Sequence, residues 1–109
     1  MNYTWQITKL GLRDELNADN VLLENAIVNV KWKRVAVDEN GTEASYLGNT
    51  DLVVREITAA DFIALNEVTS VQVVSWLEEA IEASDITRIN AQLQSKIDKR
   101  STRDVTPSW

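Results

Sequence analysis

The sequence predicts an α+β domain: an antiparallel meander of three to four strands, then two to three C-terminal helices packed on one face. Three observations carry this. The first half of the chain alternates apolar and polar residues with a period of two and is rich in β-branched and aromatic side chains. An Asn-Gly pair, Asn40-Gly41, sits between two such runs and marks a chain reversal. From Thr58 onward the apolar residues recur at helical spacing. Strands gathered first and helices after them is the order of an α+β fold. The chain has 109 residues, enough for one core and too few for two. We assign residues 1–100 to a single domain and residues 101–109 to an extended tail that holds the one proline, Pro107.

The first strand places Tyr3, Trp5 and Ile7 on one face and Thr4, Gln6 and Thr8 on the other. The apolar parity then moves to Leu10 and Leu12, which predicts a bulge near Lys9. Asp14 to Asn20 is polar and turn-prone. The second strand runs over Ala26–Val37, with Val28, Val30 and Trp32 alternating against Asn29, Lys31 and Lys33. It also changes parity, to Val35 and Val37, so the two strands are expected to be neighbours that bend together.

Asp38-Glu39-Asn40-Gly41 predicts the hairpin, because glycine supplies the positive φ such turns need. A two-residue loop would pair Val37 with Ala44. A three-residue loop with Gly41 in a bulge pairs Trp32 with Gly48 and Arg34 with Tyr46, and is preferred. The indole then covers the bare Gly48 backbone, and the guanidinium lies over the Tyr46 ring. The third strand is expected over about Thr42 to Val54.

Two sequences resemble capping boxes, Thr58-x-x-Asp61 and Thr69-x-x-Gln72. They predict a short helix over Ala59–Asn66 and a second over Ser70–Ala83. The second puts Val73, Val74, Trp76, Leu77, Ala80 and Ile81 on one face, with Glu78, Glu79 and Glu82 opposite. Ser84 or Asp85 caps a third helix to about Arg100, with a narrow stripe of Ile86, Ile89, Leu93 and Ile97.

The chain contains no Cys and no His, which excludes disulfides, thiolate metal sites and every nucleophile arrangement built on those residues. Its three glycines, Gly11, Gly41 and Gly48, are too scattered for a phosphate-cradling loop. Asp38-x-Asn40-Gly41-Thr42 fails as a calcium loop, since the glycine is two positions early and Asn49 stands where a bidentate Glu belongs. Glu78, Glu79 and Glu82 are carboxylates on one helix, but they lie opposite its apolar stripe, where a solvated face belongs. Nothing here points to catalysis, and the expectation is a non-enzyme with no cofactor and no bound metal.

The formal net charge is −6. Residues 1–82 carry six basic and fourteen acidic side chains, whereas residues 83–109 carry five basic and three acidic ones. That balance disfavours nucleic acid as a partner. The one basic cluster, Lys31-x-Lys33-Arg34, puts both lysines on one strand face and Trp32 on the other, which suits an edge guarded against aggregation better than a platform for single-stranded nucleic acid. An acidic body with a basic end can attract copies head to tail. No stretch approaches the roughly 20 apolar residues of a membrane helix, and Met1-Asn2-Tyr3-Thr4-Trp5 lacks a secretory signal's pattern. The expectation is a product made in a cytoplasm, with no membrane and no small-molecule substrate.

Trp5, Trp32 and Trp76 fall on the apolar phase of their elements and are expected in the core. Trp109 does not. It follows a polar stretch and Pro107, and buried Trp is a favoured interface anchor. The tail residues Arg100, Arg103, Val105, Pro107 and Trp109 are therefore the expected partner-binding site.

Tyr3-Thr4-Trp5-Gln6-Ile7, Val30-Lys31-Trp32, Asp38-Glu39-Asn40-Gly41, Ala60-Asp61-Phe62, Trp76-Leu77-Glu78 and the ending Pro107-Ser108-Trp109 together resemble a family of small proteins of tailed bacteriophages, prominent in marine and cyanobacterial phages. That family often has Met-Pro-Trp where this chain has Thr106-Pro107-Ser108-Trp109. The resemblance implies a virion-associated protein, a capsid decoration or tail component whose partners are other phage structural proteins or copies of itself. The alternative is an intracellular regulator that binds and inhibits a host protein.

Overall fold

The computed structural model describes residues 1–101 and 106–108. Strands β1 (Asn2–Leu16), β2 (Leu22–Val37) and β3 (Glu43–Asp51) are followed by a 3-10 turn at Leu65–Glu67 and helices α1 (Ser70–Ala80) and α2 (Ala83–Ser101). The sheet is a meander in the order β1-β2-β3 with antiparallel neighbours. The α+β prediction stands, with three strands and two α-helices.

The hairpin forms in the preferred register. Trp32 faces Gly48, Arg34 faces Tyr46 and Val37 faces Glu43, so the two-residue alternative is not the one adopted. Gly41 has φ +79°. The Asp38 carboxylate accepts from the amides of Asn40 (2.9 Å) and Thr42 (2.8 Å), closing the loop on itself.

The bulge in β1 is at Thr8, between the Ile7↔Trp32 and Lys9↔Lys31 pairs, where the hydroxyl donates to the Lys31 carbonyl at 3.0 Å. The matching bend expected near Val35 does not occur. β2 pairs with β3 without a break from Asn29↔Asp51 to Val37↔Glu43. Val35 is apolar because it lies on the other face of the central strand, flanked by Thr4 and Ser45, and is 6% exposed. The irregularities of β2 come earlier, against Gly11–Glu15. One is at Asn25, whose φ is +53° and whose amide donates to Asp14 Oδ1 at 2.8 Å.

β1 and β2 run on as a two-stranded arm through the stretch expected to be a turn, which shrinks to residues 17–21. β3 is shorter than expected. Leu52 still donates to the Val28 carbonyl at 2.9 Å, but the chain then leaves the ladder because Val54, Ile57 and Phe62 pack on Leu23, Ala26 and Val28.

That same packing removes the helix expected over Ala59–Asn66. Thr58 accepts the Asp61 amide at 3.3 Å and makes one helical turn to Phe62, but burying Phe62 costs the next turn, and an eight-residue helix lacks the length to hold itself. Thr69 and Gln72 do form a reciprocal capping box at the start of α1. Val73 and Leu77 are buried, Val74, Trp76 and Ile81 are half-buried, and Ala80 is exposed. Ile81 adopts an extended conformation and ends α1 three residues earlier than expected. α2 follows at once, so Ser84 and Asp85 lie inside its first turn, where Asp85 complements the positive helix end.

The main core lies between the sheet and α2, with α1 closing one side. Trp32, Val30, Ala36 and Ala44 meet Val73, Leu77, Ile89, Leu93 and Ile97. The molecule is elongated, 75 × 24 × 18 Å, with a radius of gyration of 19.0 Å. A compact domain of this size would have about 13 Å.

Candidate functional site

Two features stand outside the core. The first is a groove of about 680 Å³ between the C-terminal half of α1 and the 51–63 crossing. Ile27, Leu52, Val54, Ile57, Phe62 and Trp76 make its apolar walls, and Asp51, Glu56, Asp61 and Glu79 bring four carboxylates to its rim. No basic side chain is among the described residues that line it.

Local chemistry builds each wall. The capping box fixes the start of α1, and burial of Val73 and Leu77 fixes its rotation, which turns Trp76 and Glu79 toward the groove. The opposite wall is held by Asn17, 4% exposed in the β1–β2 loop. Its Nδ2 donates to the Ile57 carbonyl at 2.9 Å, and its Oδ1 accepts from the amides of Asp19 (3.0 Å) and Val21 (2.9 Å). The neighbouring Ala18 amide donates to Arg55 at 2.8 Å. An asparagine can make these bonds because it offers donor and acceptor on one short, planar group.

The second feature is the arm. Beyond the last β3 pair it exposes Leu12, Leu16, Val21 and Leu22, with Leu16 and Leu22 directly opposite each other at 57% and 52% exposure. Lys31 and Lys33 lie on the helix-free face, as expected, beside the exposed Leu47.

Arg34 departs from its expected place. It lies on the helix-facing side with Trp32, but its guanidinium sits 4.4 Å from the Trp5 ring centroid and 5.5 Å from that of Tyr3. The Tyr46 face is already taken by Trp32, stacked at 5.9 Å and 22°. Nε of Arg34 donates to Asn90 Oδ1 at 3.2 Å. Burial lowers the Arg34 pKa, opposed by the charges of Glu78 and Tyr3. Glu78 is exposed, yet its charge is felt by the half-buried Arg34. Arg88 is raised, chiefly by its hydrogen bond with Tyr46.

Among the described residues no group of acidic side chains is placed to hold a metal ion, and every buried side-chain nitrogen and oxygen has a partner. No helix among them is long and apolar enough to cross a membrane. Of the tail residues expected to bind a partner, Arg100 is exposed in the last turn of α2 and Pro107 is exposed beyond it. Arg103, Val105 and Trp109 lie outside the described residues. Sequence reasoning missed the groove, because Asp51, Asp61 and Glu79 belong to three separate segments that only the 52–62 crossing brings together. The apolar spacing of Val54, Ile57 and Phe62 was the available signal.

No curated protein and no solved structure matches the chain. A family described as a domain of unknown function, DUF7936, matches residues 1–108, and the chain belongs to that family.

Proposed function

We propose that this protein is a non-enzymatic docking component of a larger assembly, a phage virion on the resemblance drawn above. It is held there by contacts with other structural proteins and with copies of itself. The observation that carries the reading is the arm. Beyond the end of β3 the two strands are covered by the 52–62 crossing at Leu23 and Ala26, yet the arm and its loop still expose Leu12, Leu16, Val21 and Leu22. Exposed aliphatic side chains gathered on one arm are what a protein partner covers. The occupant of the arm is a neighbouring structural protein of the particle.

The test is a chain carrying Leu16→Lys and Leu22→Glu, an opposite-charge pair across the two strands, supplied during infection in place of the native one. Both positions are exposed, so the variant folds and stays soluble, and it is expected to be missing from purified particles. Incorporation at the native level would contradict the proposal. A soluble 1:1 complex with a host protein, and no trace in particles, would instead support the inhibitory regulator.

A further inference from the structure

The partner of the groove can be named from the chain itself. We infer that the acid-rimmed groove holds residues 102–109 of a second copy, with Trp109 against the apolar walls and Arg103 against the carboxylates. This rests on the docking reading above and assigns one of its contacts to a self-interaction.

Charge is the first argument. Asp51, Glu56, Asp61 and Glu79 rim the groove, and no basic side chain is among the described residues that line it. The last turn of α2 and the tail beyond it, residues 99–109, carry Lys99, Arg100 and Arg103 against one acid, Asp104. Opposite potentials of this kind set register and speed encounter. Apolar content is the second. Phe62, Ile57 and Trp76 present a surface suited to an aromatic anchor, and Val105 and Trp109 are the apolar residues of 102–109. A volume of about 680 Å³ admits an indole and its neighbours.

Reach decides between the same chain and another. Ala80, beside the start of α2, lines the groove, and the 19 residues of α2 lead away from it. At 1.5 Å per residue the root of the tail is about 28 Å distant. Eight residues, fully extended, span roughly 26–29 Å. Within one chain the tail would touch the rim with no slack to enter. Thr106, Pro107 and Ser108 are solvent-exposed, not packed back on their own chain. A second copy meets no such limit. Groove and tail are different surfaces, so the contact is head to tail and builds a ring or an open chain of copies.

Sedimentation of the full-length chain over 5–500 µM tests this. The native chain is expected to self-associate, about tenfold more weakly at 0.5 M than at 0.05 M salt. Trp109→Ala with Arg103→Glu should be monomeric, and so should Asp61→Lys with Glu79→Lys, whose rim positions are exposed. Mixing the two monomeric variants leaves one intact tail and one intact groove, and should restore a 1:1 dimer that grows no further. A native chain that stays monomeric at 500 µM, or variants that associate as the native chain does, would overturn the inference. So would a mixture that fails to pair. If the inference fails while the chain is still found in particles, the docking reading stands with a different partner at the groove.

Discussion

The six-membered half of the Trp32 indole occupies the space in which a Cβ on Gly48, its cross-strand partner, would lie. The ring has no freedom to yield. Trp5 meets it edge-on at 5.0 Å and 83°, Tyr46 stacks on it, and its N–H donates to Thr50 Oγ1 at 2.9 Å. Gly48→Ala should therefore destabilise the fold by about 1–3 kcal/mol, the cost of overpacking. Adding Trp32→Leu should cost less than the two changes separately, because the clash is then gone. Urea unfolding of the four chains measures the coupling, and strict additivity would contradict this packing.

Arg34 places a cation among aromatic rings in the sheet's helix-facing layer. Lysine can keep the charge but cannot stack on Trp5 and donate sideways to Asn90 together. Arg34→Lys should lose about 1 kcal/mol. In a double-mutant cycle with Asn90→Ala, a coupling below about 0.3 kcal/mol would show that the hydrogen bond adds nothing.

Asn17 ties the arm's loop to the groove's outer wall. Asn17→Ala leaves the Asp19 and Val21 amides without their acceptor and the Ile57 carbonyl without its donor, and should cost about 1–3 kcal/mol. The loss is local, so hydrogen exchange should quicken at Asp19 and Val21 and across the 52–62 crossing, while α2 amides keep their protection. A uniform loss of protection would mean that Asn17 supports the whole fold.

The two threonines that look alike in sequence should separate on substitution. Thr69→Ala removes half of a reciprocal capping box and should cost about 1 kcal/mol. Thr58→Ala removes one 3.3 Å bond in an exposed turn and should change stability by less than about 0.5 kcal/mol. Thermal melts of both chains settle the order.

The fold was largely legible, and the site was not, for a shared physical reason. Hairpin register and α1 follow from neighbours in sequence: Asp38 and Gly41 close the turn, and Thr69 pairs with Gln72. The strand that stops at Asp51 and the missing helix after Thr58 follow from Phe62 and Val54 packing on Leu23 and Ala26, residues about thirty or more positions away. Local pattern shows that Val54, Ile57 and Phe62 are apolar, but not which distant residues they cover. Asn17 shows the same limit, since its turn was evident but its bond to Ile57, 40 residues on, was not. Arg34 missed its expected ring because Tyr46 had a better partner in Trp32.

The central claim is that this chain is a docking component of a particle. Its most direct test is quantitative mass spectrometry of purified particles of a phage encoding it, counting copies against the major capsid protein. The account predicts a stoichiometric signal: hundreds of copies for a capsid decoration, a handful to tens for a tail component. Absence from particles in which the chain is abundantly expressed during infection would contradict it.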